Sequence, residues 1–312
     1  MLSVKDHEIR SLVSMSDVIN CMEQSFSDFY DGLFTMPQRS TMEVEGGTVL
    51  SMPCYRKKGK YFTIKVVSVF QPSTKIQSKM IQSSIFSFNS KDGSLKACFD
   101  GDEITAMRTG AASGVATKFF AAPKSKSLAI FGTGAQAFTQ VEAMMCVRPI
   151  EKIFFFSRNL KSSKIFSNSV SEILTVNATP GILKNLKEVD IICTATPSKK
   201  ELFNLSNLKE GVHINAIGSF KSDMIEISSD IIKNSKIIVD SVISSKKEAG
   251  DLIQAEKNSS WEYENIFAEL GSITKNKKYH KEYIEQNSLF KSVGLGFQDL
   301  ALTELLLKRI DK

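Results

Sequence analysis

The sequence predicts an α/β protein of two parts: a doubly wound parallel sheet covered by helices, and a second domain of α+β type. Three observations carry that expectation. Short β-type runs alternate with helical patterns through the middle of the chain, a glycine-rich turn joins the first run to a helix, and the preceding segment has the period-two alternation of antiparallel strands. A length of 312 residues exceeds the usual single domain and fits two.

The runs are Leu128-Ala129-Ile130-Phe131, Ile153-Phe154-Phe155-Phe156, Ile191-Ile192-Cys193, His213-Ile214-Asn215-Ala216-Ile217 and Ile237-Ile238-Val239, each bounded by turn-forming or polar residues. Their unbroken apolar character predicts strands buried on both faces. Upstream, Tyr61 to Phe70 and Ser83 to Phe88 alternate, and Lys91-Asp92-Gly93 reads as a hairpin turn. At the far end, Leu300, Leu302, Leu305 and Leu306 have helical spacing. A terminal helix from about Gln298 to Lys312 is expected to pack back on the first domain. The expected boundaries are therefore 1–115 with 296–312 for one domain and 116–295 for the other.

The strand 128–131 runs directly into Gly132-Thr133-Gly134-Ala135-Gln136-Ala137 and then into a helical pattern through Val141, Met144 and Met145. In a Rossmann-type turn of this kind the first glycine allows the bend and the second lets backbone approach a pyrophosphate. The third small residue lets helix and strand pack closely, and the helix N-terminus offers free N–H groups to the phosphates. A nicotinamide dinucleotide is the expected cofactor. The end of the next strand, which discriminates NAD from NADP, reads Ser157-Arg158-Asn159. No acid stands there for a ribose 2′-hydroxyl, and Arg158, with Lys161 nearby, suits a 2′-phosphate. NADP(H) is thus expected as the preferred cofactor, with NAD(H) as the alternative.

With 42% hydrophobic and 24% charged residues the composition is that of a globular protein, and no apolar run has the length of a membrane span. The net charge of +6 comes from scattered lysines without an arginine–aromatic stripe. This argues against nucleic acid and favours a small ligand carrying phosphate or carboxylate. Five cysteines without CxxC spacing argue against a disulfide framework or a zinc site. With no export signal visible, a cytoplasmic location is expected. No metal is expected, because His7, His213 and His280 lie at no ligand spacing. Cys193 and His213, inside β-type runs, read as structural residues.

Several stretches together resemble the ornithine cyclodeaminase/mu-crystallin family. They are 100–109 (Asp100-Gly101-Asp102-Glu103 through Arg108-Thr109), the glycine loop, 213–219, Val239-Asp240-Ser241, Glu248-Ala249-Gly250-Asp251, 266–271 and Lys291-Ser292-Val293-Gly294. The resemblance runs nearly the whole chain in order. It implies a homodimer in which the α+β domain binds a small amino- or imino-acid substrate and makes the dimer contact. It also implies that Arg39 and Lys65 hold the substrate carboxylate near the reacting carbon, and that Arg108, with Thr109 beside it, reaches the cofactor phosphates. Thr194, Thr196, Ile217, Gly218, Ser219 and Leu295 complete the expected cofactor set.

Departures from the family choose among its chemistries. Cyclodeaminases carry two carboxylates where this chain has Leu50 and Phe220, and without paired acid/base groups the oxidation and deamination steps lose their proton carriers. Alanine dehydrogenases resemble the second of those patterns. The run Ile217-Gly218-Ser219-Phe220-Lys221-Ser222-Asp223-Met224 resembles instead a segment of ketimine and pyrroline-carboxylate reductases, with Ser222 in place of a proline and Asp223 aligned. Reduction of a cyclic imino acid such as Δ1-pyrroline-2-carboxylate or Δ1-piperideine-2-carboxylate, giving proline or pipecolate, is the expected reaction. Lys65, Arg39 and Asp223 are the expected catalytic residues. Met80 stands where many members place a small hydroxyl residue. The alternatives are an alanine-type or opine-type amino-acid dehydrogenase and a non-catalytic crystallin-like binding protein.

Overall fold

A computed structural model describes residues 2–70, 81–277 and 284–311. Met80, His280 and the end of the Lys275–Lys278 cluster lie outside the described residues. The chain divides into two compact units, one made of 1–108 and 295–312, the other of 109–294.

In the first unit the described elements are β1 (Leu2–Val4), α1 (Asp6–Leu12), α2 (Met15–Tyr30), β2 (Phe34–Thr35), β3 (Ser40–Val44), β4 (Gly47–Arg56), β5 (Tyr61–Phe70), β6 (Ile81–Asn89), β7 (Leu95–Asp100) and the start of α3 (Gly101–Phe120). The sheet order is β1-β7-β6-β5-β4-β2 with β3 paired to β4. It is antiparallel except for the parallel β1–β7 pair. The alternation seen in the sequence of β5 is the pleat itself: Tyr61, Thr63 and Lys65 are buried, and the residues between them are not. That pattern places a lysine among inward-facing positions. Gly93, at φ +72°, closes the turn between β6 and β7 by donating from its N–H to the Asn89 carbonyl (2.9 Å).

The second unit contains β8 (Ser127–Phe131), α4 (Ala137–Val147), β9 (Lys152–Phe156), α5 (Leu160–Leu174), β10 (Asn177–Pro180), β11 (Ile191–Thr194), β12 (His213–Ala216), α6 (Ser229–Lys233), β13 (Lys236–Val239), α7 (Val242–Glu248), α8 (Gly250–Asn258), β14 (Ile266–Glu269), α9 (Leu270–Asn276) and β15 (Ser288–Lys291). Its strands form one sheet in the order β10-β9-β8-β11-β12-β15-β13-β14, parallel at every described pairing. This is the doubly wound α/β architecture. Order reverses between β8 and β11, and ligands of such sheets bind outside the strand C-termini at that switch point. The last element, α10 (Gly296–Ile310), belongs to the first unit, where Phe297 stacks on Phe29 and meets Phe26 edge-on.

Several sequence readings find their physical place here. Cys193 is fully buried in β11, and burial pushes its thiol up to about 12, so it is inert as a nucleophile. His213 is fully buried; its ring nitrogens sit 2.9 Å from Ser288 Oγ and 3.3 Å from Asn215 Oδ1, and burial holds its pKa down at about 3. It is a neutral structural residue. Trp261, whose place the sequence leaves open, packs in the core of the second unit edge-on to Tyr263. Among the described residues no helix is long and apolar enough to cross a membrane, and no group of His, Cys, Asp and Glu could hold a metal.

Candidate active site

The first unit buries a cluster of charges around Lys65. The Lys65 side chain is 2% exposed, and its ammonium donates to Asp299 Oδ1 (2.9 Å) and to Thr105 Oγ1 (2.5 Å). Thr105 passes a hydrogen bond on to the Gly101 carbonyl. The same Asp299 oxygen accepts from Arg108 Nε (3.3 Å), and Arg108 Nη1 donates to Gln298 Oε1 (2.8 Å). The five groups come from three elements: Lys65 from the buried face of β5, Thr105 and Arg108 from one face of α3 at i and i+3, and Gln298 and Asp299 from the first turn of α10. An aspartate in that turn also suits the helix dipole.

Burial lowers the Lys65 pKa to about 8; the Asp299 charge opposes the shift, and Arg108 and Arg39 add to it. Arg39, half-buried after β2, is thus close enough to be felt at the ammonium. Lys65 and Arg108 share one buried carboxylate, that of Asp299. Asp299 Oδ2 is buried without a hydrogen-bond partner, as is Gln298 Nε2. Excess buried positive charge is costly unless a counter-ion completes it. A ligand carboxylate is the group that would do so.

Of the three expected catalytic residues, Lys65 is in this cluster and Arg39, in the same unit, acts on it through its charge. Asp223 belongs to the second unit, where it is 58% exposed and ion-paired to Lys199 at 2.6 Å. Arg108, expected at the cofactor phosphates, spends its described bonds on Asp299 and Gln298. Leu50, in place of a family carboxylate, is buried on β4, and Phe220 is half-buried after β12. Leu295 is the N-cap residue of α10, and Gln298 Oε1 accepts from its N–H (3.3 Å). The sequence reading missed Thr105, Gln298 and Asp299. One signal marked Asp299: it shares a helical stripe with Leu302 and Leu306, and an acid on a buried stripe needs a partner.

The second unit builds the dinucleotide turn. Gly132 has φ +105°, and a Cβ there would stand 2.5 Å from the Ala195 carbonyl, so only glycine fits. A Cβ at Gly134 would meet nothing within 4 Å, which is the open approach a pyrophosphate requires. No side chain caps α4 at Gln136, and Thr133, Gly134 and Ala135 are partly or fully exposed. The turn therefore fits the group. At the end of β9, Ser157 Oγ bonds the Asn159 carbonyl (2.6 Å) and Ser163 Oγ (2.8 Å), Asn159 caps α5 by accepting from Lys161 N, and Arg158 is exposed. Thr109 and Ile217 are buried, the latter just after β12.

Thr194, Thr196, Gly218 and Ser219 share a partner that the sequence reading did not single out. Glu226, fully buried, accepts from Thr194 Oγ1 (2.9 Å), Thr196 N (2.7 Å), Thr196 Oγ1 (2.8 Å), Gly218 N (2.8 Å) and Ser219 N (3.1 Å). Asp251 in turn accepts from the Glu226 N–H (2.6 Å) and from Lys291 Nζ (2.8 Å).

Comparison with known proteins agrees with this architecture. The chain is 34% identical over 314 aligned residues to the Δ1-pyrroline-2-carboxylate reductase of Bacillus cereus strain ATCC 10987, covering 99% of this chain and 96% of that one. Among solved structures, Δ1-pyrroline-2-carboxylate reductase of Thermococcus litoralis, in complex with NADH and L-proline, superposes with a TM-score of 0.93 at 35% identity, covering 99% and 97% of the two chains. An archaeal alanine dehydrogenase dimer with bound NAD superposes with a TM-score of 0.91 at 28% identity, covering 99% and 95%. The model of the ornithine cyclodeaminase/mu-crystallin family matches residues 1–312, and the chain belongs to that family.

Proposed function

We propose that this protein is an NAD(P)H-dependent reductase of a cyclic imino acid, Δ1-pyrroline-2-carboxylate or its six-membered homologue, giving proline or pipecolate. The observation that carries the reading is the buried Lys65–Arg108–Asp299 cluster beside Arg39, which has an excess of positive charge and a lysine poised near neutral pH. Arg39 and Arg108 bind and orient the substrate carboxylate, with planar forks suited to two oxygens. Lys65, held by Thr105 and Asp299, donates a proton to the ring nitrogen or stabilises the iminium. A nicotinamide cofactor bound at the glycine turn would supply the hydride for the ring carbon next to that nitrogen. Asp299, and not the exposed Asp223, is the carboxylate that works with Lys65.

The relatives support the substrate class, since both the Bacillus and the Thermococcus proteins are Δ1-pyrroline-2-carboxylate reductases. The missing carboxylates at Leu50 and Phe220 set the chain apart from cyclodeaminases. We further propose a cytoplasmic homodimer that prefers NADP(H) through Arg158. The domain roles follow, with the first unit binding substrate and the second binding cofactor. A second reading, an amino-acid dehydrogenase acting on a 2-oxo acid plus ammonia, is favoured by the likeness to the archaeal alanine dehydrogenase. The deciding assay follows NADPH and NADH oxidation with cyclic imino acids, with pyruvate with and without ammonia, and ammonia release from ornithine. Oxidation with the cyclic imines alone is the expected result. Oxidation only when ammonia is present would replace the reading with the second one, and silence with all three would leave a binding protein.

A further inference from the structure

The strand order of the second unit assigns its two halves. In a sheet wound outward from β8, the first β-strands on one side, β9 and β10, carry the adenosine half of a dinucleotide, and β11 and β12 on the other side carry the nicotinamide half. The loops leaving β11 and β12 are therefore the ones whose placement decides where the reactive ring lies. Glu226 joins those two loops. Its Oε1 accepts both bonds from Thr196, and its Oε2 accepts from Thr194 Oγ1, Gly218 N and Ser219 N. Each oxygen is saturated with donors, and neither has one to spare for solvent.

Backbone packing explains why the loops need such a clamp. A Cβ at Gly218 would stand 2.4 Å from both the N and the O of Thr196 and 2.5 Å from Glu226 Oε1, and one at Gly132 would stand 2.5 Å from the Ala195 carbonyl. The dinucleotide turn, the loop after β11 and the loop after β12 are thus stacked with no side chain between them. Asp251 fixes the clamp from behind, because its Oδ1 accepts from the N–H groups of Glu226 (2.6 Å) and Ile227 (3.0 Å) while Oδ2 pairs with the buried Lys291.

We propose that Glu226 is a positioning residue for the nicotinamide half of the cofactor: its carboxylate locks 194–196 and 218–219 into one layer against the Gly132 turn, and so fixes the backbone on which that half rests. The proposal builds on the dinucleotide site of the preceding section. Burial, together with the Asp251 charge, pushes the Glu226 carboxyl up, against the opposing Lys291 charge and the Thr196 donors.

Glu226→Gln tests this with almost no change of shape. Either orientation of the amide sets an NH2 group against at least two donors, so the loops part while the adenosine side of the sheet is untouched. Equilibrium binding is measured for NADH and for ADP, which carries the adenosine half and both phosphates but no nicotinamide riboside. The expected result is an NADH affinity lower by about tenfold or more, with ADP binding within about twofold of the unaltered protein. Thr194→Val, an isosteric loss of one donor, is expected to give the same split at about threefold, and it serves as the test if Glu226→Gln does not fold. Equal weakening of NADH and ADP, or no weakening of either, overturns the proposal. Failure of the unaltered protein to bind NADH, NADPH and ADP alike would instead overturn the dinucleotide site itself.

Discussion

Both units bury a lysine against an aspartate, at nearly the same distance and with nearly the same exclusion of water, yet the two pairs are built to opposite ends. Lys65 and Asp299 are 2.9 Å apart with side chains 2% and 1% exposed; Lys291 and Asp251 are 2.8 Å apart and fully buried. Around Lys65 the further charges are arginines, and an oxygen of Asp299 and the amide nitrogen of Gln298 lack partners. Around Lys291 the further charge is a second carboxylate, Glu226, and both its oxygens are satisfied by loop donors. A buried network with orphaned donors and acceptors has bonds left for a ligand to make, whereas a complete one is scaffold. Buried ion pairs are therefore told apart by the charges and orphaned atoms around them, not by their own geometry.

The comparison breaks most visibly if the first pair proves dispensable. Lys65→Met removes the proton donor and part of the carboxylate site, and imine turnover is expected to fall by about a thousandfold. NADH binding, proposed above for the second unit, should be unchanged by fluorescence titration. Turnover within a few-fold of the unaltered enzyme would remove Lys65 from the chemistry. In the second unit the expectation is reversed: Asp251→Asn strands the Lys291 ammonium and should cost about 3 kcal/mol of stability in denaturant titration. A variant that unfolds at the same denaturant concentration would mean that the pair is not the scaffold its burial implies.

The pH dependence sharpens the contrast. If Lys65 acts as an acid, its protonated form is the active one, and reduction should decline as pH rises through about 8. Burial is the main cause of that low value, and Asp299 is what keeps it from falling further. Asp299→Asn removes the supporting negative charge, so the Lys65 pKa drops and the alkaline limb moves to lower pH, with turnover near neutrality reduced by about tenfold. Asp299→Glu should restore part of the limb. A profile that keeps its midpoint in Asp299→Asn would separate Asp299 from the proton donor.

The doubly wound sheet and the glycine turn were legible in the sequence because each is local, an apolar run or a glycine spacing, whereas Lys65 was marked only by the family resemblance, although it stands in step with the buried face of an alternating strand. The partners of Lys65 were not legible, since 234 residues separate it from Asp299 and only the folded chain joins them. Asp223 and Glu226 show the same limit at close range. They lie three residues apart, and the family pattern drew attention to the first, yet the first faces water and the second collects the loops. Flanking residues carried the signal, because Glu226 stands between Ile225 and Ile227, both of apolar type, and an acid so placed must be paired or strand its charge.

The smallest expected effect concerns the edge of the second unit, where the sequence favours NADP(H) while the two solved relatives described above hold NADH and NAD. Arg158 is exposed after β9, and Ser157 is turned inward onto Asn159 and Ser163. A guanidinium free to reach a 2′-phosphate and a hydroxyl that does not repel it together favour NADPH, but an exposed charge pair is worth little and is screened by salt. Arg158→Ala should therefore shift the NADPH/NADH ratio of kcat/KM by only about fivefold towards NADH, less at high salt. Ser157→Asp should shift it further the same way, by placing a carboxylate where a 2′-phosphate would sit. A ratio that ignores both changes would mean that discrimination, if any, arises elsewhere than at the end of β9.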